Sequence, residues 1–128
     1  MTLREHSRYV VNVAQARSAS AYALVSGSVA SDVRSWDLRL PRCVHTFPAH
    51  PHAAMSALSL HDYAPLLATG SARQAARVYT NTGELLTDVR FHEGFAGARI
   101  GAVSALGWHP HRLTLAIGAT DRLIDIVA

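Results

Sequence analysis

Three glycine-centred segments of this chain fall into one register. Aligned on Gly27, Gly70 and Gly118 they read LVSGSVASDVRSWD, LATGSARQAARVYT and LAIGATDRLIDIV, with Trp36, Tyr79 and Val127 each nine residues after the glycine. The glycines are 43 and 48 residues apart. Two short β-type runs flanking a small-residue turn predict an antiparallel hairpin. Recurrence at such a period predicts an array of similar sheets, each burying its faces only against its neighbours.

The repeat extends upstream. Ser56 and Ser104 stand fourteen residues before the second and third glycines, inside MSALSLH and VSALGWH, which share Ser, Ala, Leu and His and predict first strands. The matching stretch of the first repeat is Asn12 to Ser18, after the β-favouring run Tyr9, Val10 and Val11. Strands are predicted near 9–17, 22–27, 32–37 and 43–47, then near 54–60, 65–70, 75–80 and 84–90, then near 102–108, 113–118 and 122–127. Pro41, Pro48 to Pro51, Asp62 to Pro65, Asn81-Thr82-Gly83 and His109-Pro110 stand where the turns are needed.

With the Trp36-Asp37 pair, this pattern resembles the blades of WD40 β-propellers. The implied fold is all-β: a partial WD40 propeller of about three four-stranded antiparallel blades, near 9–47, 54–90 and 101–128, the last incomplete. Gly27, Trp36, Asp37, Gly70, Tyr79, Gly118 and Asp121 are its repeat positions. Ala30 and Arg73 stand at the turn position where such blades commonly have Asp, which Asp121 keeps, and Tyr79-Thr80 and Val127-Ala128 replace the Trp-Asp pair. Three blades do not close a ring. The reading is therefore a fragment of a larger propeller whose two apolar end faces need cover, with Met1 to Arg8 as the tail of a preceding blade or a false start.

A narrower resemblance lies in FHEGFAGARIGAVSALGWHPHRLTLAIGATDRLIDIVA (Phe91 to Ala128), DVRSWDLRLP and MSALSLHDYAPLLATGSARQAARVYTNTGELL. These segments resemble the C-terminal seven-bladed WD40 propeller of the Raptor family, the regulatory scaffold of the target-of-rapamycin kinase complex. The connection His92 to Ile100, which lengthens the second spacing, is the most specific element. The resemblance implies a non-catalytic scaffold whose partners are the kinase complex subunits and the remaining blades, in the same or another chain. It also implies a cytoplasmic location, with recruitment to the lysosome or vacuole surface through the complex. The alternative is a generic WD40 module such as a ubiquitin-ligase substrate receptor.

Hydrophobic residues make up 49% of the chain and charged residues 16%, and no apolar run approaches the roughly 20 residues of a membrane-spanning helix. Insertion into a membrane is not expected. The opening residues are too polar for a secretory signal, and Cys43, the sole cysteine, cannot form an internal disulfide, so a reducing compartment is the default. All twelve basic residues are arginine and the net charge is +3, but they are scattered without an aromatic stripe, which argues against nucleic acid. An RNA-associated propeller remains a third reading.

No cofactor or metal is expected. His50-Pro51-His52 and His109-Pro110-His111 each supply at most two ligands, and a zinc site needs three or four. Turn or capping roles suit these histidines better, and His61 and His109 occupy equivalent strand ends. No catalytic residue is expected either. Ser26, Ser28 and Ser71 adjoin glycines but lack the nucleophile-elbow pattern, Cys43 has no third group beyond His45, and Gly94 and Gly97 lack the basic-hydroxyl pair of a phosphate loop. Within the inserted loop, His92, Glu93, Phe95 and Arg99 are candidate protein-interface residues, with Phe95 and Arg99 of the types enriched at hot spots. The favoured competing reading tucks Phe95 between blades, with the two glycines allowing the bend. Trp36 and Trp108 are assigned to the core.

Overall fold

The β-branched and small residues of the repeats form eleven strands in the computed structural model, which describes residues 1–15, 23–40, 42–92 and 97–127. No helix occurs among the described residues. The first sheet is β1 (Val10–Ala14), β2 (Ala23–Ser28), β3 (Asp32–Asp37) and β4 (Arg42–Pro48), hydrogen-bonded in chain order. The second repeats that order with β5 (Met55–Leu60), β6 (Leu66–Ser71), β7 (Ala75–Thr80) and β8 (Leu85–Val89). The third has three strands among the described residues, β9 (Val103–Trp108), β10 (Leu115–Ala119) and β11 (Ile124–Val127), with β10 central. All pairings are antiparallel, and the whole is a partial propeller.

Each first strand carries a β-bulge at the same place. Val10 and Asn12 pair with Ser28 and Gly27, Met55 and Ala57 with Ser71 and Gly70, and Val103 and Ala105 with Ala119 and Gly118. Val10, and not Asn12, is therefore the counterpart of Met55. The first hairpin is two residues longer than the others, so fixed spacing from the glycine matched the wrong residues, although the strand predicted near 9–17, of which 16 and 17 lie outside the described residues, contains Val10–Ala14. The turn after each aligned glycine also repeats, because Ser31, Gln74 and Arg122 all adopt the left-handed conformation, with φ of 68°, 63° and 71°. Such a φ is costly for a residue with a Cβ.

Two of the aligned glycines are seats for the next sheet. A Cβ on Gly27 would lie 2.5 Å from Met55 Sδ, and one on Gly70 would overlap Val103 Cγ1. Met55 and Val103 each open the first strand of the following sheet. At Gly118 the nearest atoms belong to Ala105 and Ser104 of its own sheet, 3.7 Å or farther away.

The seams between sheets form the core. Val25, Val33, Met55, Leu58, Leu67 and Tyr79 fill the first, and Val78, Ile100, Val103, Leu115 and Ile117 fill the second. Each large aliphatic side chain so buried contributes about 1.5–3 kcal/mol. Asn12 Nδ2 donates across the first seam to Leu58 O at 2.8 Å, and Ser56 Oγ and Trp108 Nε1 bond across the second to Val103 O and Ser59 O at 2.5 and 3.1 Å. The outer faces stay open. Tyr9, Val10, Val13 and Val44 on the first sheet's side, and Ile124 and Ile126 on the third's, are half or more exposed.

Candidate interaction surface

The N-terminal segment belongs to the first sheet. His6 places Nδ1 2.7 Å from Asp32 Oδ2 and Nε2 2.6 Å from Ser26 Oγ, while Trp36 Nε1 donates to the same Ser26 oxygen at 2.8 Å. Glu5 Oε2 accepts the Cys43 N–H at 3.0 Å, on the edge strand β4. The Asp32 carboxylate requires a proton on Nδ1, so Nε2 accepts the Ser26 proton. Arg34 Nε, at 2.9 Å, and the Ser28 hydroxyl donate to the same carboxylate. Burial pushes the Asp32 pKa up, but the bonds from Ser28, Arg34 and His6 outweigh it and hold the carboxyl below its ordinary range.

A serine, a histidine and an aspartate in hydrogen-bond reach is the arrangement that activates a nucleophile. Here Ser26 is only 4% exposed, and its proton and a lone pair are both committed inside the sheet to His6 and Trp36. The chain Trp36–Ser26–His6–Asp32 is a strut.

The second sheet keeps half of it. His50 Nε2 lies 2.8 Å from Thr69 Oγ1, but Ala75 stands where the first sheet has Asp32. Tyr79 replaces Trp36 and sends its hydroxyl to Ala49 O. Burial without a carboxylate partner pushes the His50 pKa down to about 4. In the third sheet Ile117, Leu123 and Val127 fill the three positions with apolar groups. His92 is clasped there by two carboxylates, Nε2 2.7 Å from Asp121 Oδ2 and Nδ1 2.8 Å from Asp125 Oδ1, and these bonds, Asp125 first, raise its pKa. Asp121 also accepts the N–H groups of Gly101 and Leu123, each at 3.0 Å.

Trp36 and Tyr79 are buried, and Asp37 caps its turn by accepting the Arg39 N–H at 3.0 Å and the guanidinium at 2.9 Å. Trp108 is half-buried, edge-on to His61 with ring centroids 5.4 Å apart. His61 Nδ1 accepts two turn N–H groups, from Tyr63 at 3.1 Å and Ala64 at 2.9 Å, and His109 Nδ1 accepts one, from His111 at 3.1 Å.

The inserted loop is pinned at its base. Phe91 bridges Arg99, His92 N donates to Ala98 O at 2.8 Å and Ile100 N to Arg90 O at 2.9 Å. The clasp leaves the His92 side chain 13% exposed, whereas Glu93 and Phe95 lie outside the described residues. Ile100, unmarked by any repeat, is the loop's anchor and is fully buried.

Arg99 is exposed and joins a cleft of about 160 Å³ with Arg73, Arg77 and Arg90, beside His50 and His52. Asp88 is the carboxylate that meets these guanidinium groups, 2.9 Å from Arg90 and 3.5 Å from Arg77. Arg77 Nε is buried without an acceptor, and an unsatisfied buried donor costs about 1–3 kcal/mol. Sequence reasoning missed this cleft because its arginines are spread over the β6–β7 turn, β7, the residue after β8 and the loop, with no run to mark them.

Residues 41–80 match the family "WD domain, G-beta repeat". The "Protein raptor homolog" of Dictyostelium discoideum is 39% identical over 125 residues, 98% of this chain and 8% of that relative. "Regulatory-associated protein of TOR 1" of Arabidopsis thaliana is 39% identical over 104 residues, covering 80% of this chain and 8% of the relative. The chain is a WD40 region of the Raptor family. It spans about a twelfth of the length of these curated relatives. In fold, this Raptor-family region superposes on the crystal structure of Chaetomium thermophilum Raptor with a TM-score of 0.80 at 23% identity, over 93% of the chain and 11% of that structure.

Proposed function

We propose that this Raptor-family WD40 region is a non-catalytic part of a scaffold subunit of a target-of-rapamycin kinase complex, supporting complex assembly and growth and nutrient signalling. The observation that carries the reading is 39% identity with a Raptor homologue maintained over 98% of the chain. The geometry supports it, because the one serine–histidine–aspartate arrangement found among the described residues is sealed inside a sheet. Further propeller blades, in the same or another chain, are its first partners. Gly27 and Gly70 receive Met55 and Val103 of a following sheet, and at the equivalent seat of Gly118 the nearest atoms among the described residues belong to its own sheet. A residue from another blade would fill it. On this reading the protein works in the cytoplasm and reaches the lysosome or vacuole surface with the complex.

Native purification of the endogenously tagged protein tests the proposal. The target-of-rapamycin kinase should co-elute with it in near-stoichiometric amount. Ubiquitin-ligase subunits in place of the kinase would replace this reading with that of a generic WD40 interaction module.

A further inference from the structure

We propose that the arginine cleft at one end of the second sheet binds a phosphorylated peptide, taking the phosphoserine or phosphothreonine side chain of a partner protein. Arg73, Arg77, Arg90 and Arg99 line it, and Asp88 pairs with only two of them. The cleft therefore holds an excess of three positive charges among the described residues. Arg73 has no side-chain partner among those residues and Arg99 donates only to the Arg73 carbonyl at 3.3 Å, whereas Arg77 Nη1 is committed to Ala49 O and the Tyr79 hydroxyl and its Nε is buried. The unused donors of Arg73 and Arg99, in the field of Arg77 and Arg90, match the oxygens and the nearly two negative charges of a phosphomonoester. A carboxylate brings two oxygens and one charge.

The surroundings favour a peptide as the carrier. A second groove of about 430 Å³ shares His52, Ala53 and Arg73 with the cleft and continues toward Arg8. Its wall includes Ala30, Ala54 and Ala72, whose small side chains leave room for an extended main chain. Among the described residues no Phe, Tyr or Trp lines either cavity, so the row of large aromatic platforms on which successive bases stack is missing. Nor, among the described residues, does a large apolar side chain line the cleft to enter a bilayer.

Fluorescence anisotropy on the full-length protein tests this, using a labelled degenerate peptide library with a central phosphoserine or phosphothreonine and its unphosphorylated twin. The phosphorylated library should bind about tenfold more tightly. Arg73→Gln combined with Arg99→Gln should weaken that binding about tenfold, and the two Lys substitutions should fall between, keeping charge but losing the planar fork. Arg39→Gln, on a turn of the first sheet, should change nothing. Both cleft residues are exposed, so the melting curves of the variants should coincide with the parent's, separating a lost site from a lost fold. Equal binding of the two libraries, no binding, or binding indifferent to the cleft variants would overturn the proposal. So would tighter cleft-dependent binding to phosphoinositide-containing vesicles or to single-stranded RNA. None of these outcomes depends on co-elution with the kinase, so the two readings fail separately.

Discussion

The first and second sheets hold the same repeated position with different chemistry. In the first, Asp32 gathers His6, Ser28 and Arg34 around one carboxylate, and Ser26 passes the network on to Trp36. In the second, Ala75 and Tyr79 fill the space, and His50 sits 3% exposed with Thr69 against its ring and no carboxylate. Both are compatible with the fold, because a buried polar group is tolerated once it is bonded and an apolar group needs no bond. The difference lies in the response to protons. The Asp32 carboxyl is held below its ordinary 3.8, so its contribution is present above that value and fades only as pH falls through the lowered pKa. His50, at about 4 folded against 6.5 unfolded, resists protonation only in the folded state, so its sheet loses stability as pH falls from 6.5 toward 4.

Removing the carboxylate is the strongest way to break the contrast. Asp32→Ala strands the donors of His6, Ser28 and Arg34 and should cost about 3 kcal/mol in urea unfolding; a loss below about 1 kcal/mol would mean the network is ornamental. Next in size is acid. Lowering pH from about 7 to about 5 should remove about 2 kcal/mol through His50, and residue-resolved hydrogen exchange should show β6 and β7 losing protection before β2 and β3. Simultaneous loss in both sheets would erase the distinction. A rebuilt network sharpens it: Ala75→Asp should raise the His50 pKa by at least about one unit, read from ring NMR shifts against pH. A ring still titrating near the parent value would show that the carboxylate alone does not set the difference. The smallest effect lies in the turns. Gln74→Gly relieves a left-handed φ and should stabilise by about 0.5–1 kcal/mol. Ser31→Gly should gain nothing in the same melts, since Ser31 Oγ also holds Ala53 O at 2.5 Å.

Much of the fold was legible in the chain. The strands predicted near 32–37, 75–80 and 102–108 follow from alternation and turn residues close by in sequence, and the register on Gly27, Gly70 and Gly118 placed equivalent residues in equivalent turns. The strand predicted near 9–17 contains the observed Val10–Ala14, but fixed spacing failed inside it, where a hairpin two residues longer makes Val10 and not Asn12 the counterpart of Met55. The interaction surface was far less legible. Arg99 was singled out for its residue type and does stand exposed, but nothing in the chain joined it to Arg73, Arg77 and Arg90. His92, marked by the same loop, has its ring clasped by Asp121 and Asp125, the second of which carried no signal.

The sequence by itself determined the repeat, the strand and turn alternation, the small residues at the seams and the family, because each is a property of neighbours along the chain or of a fixed period. Only the tertiary structure decided that His6 completes the first sheet's polar network, that Ile100 plugs the second seam and that four separated arginines share a cleft. Those outcomes depend on contacts between residues far apart in the chain, 26 positions for His6 with Asp32 and for Arg99 with Arg73. Their strength comes from the exclusion of water, which stacking the sheets creates and no local pattern encodes.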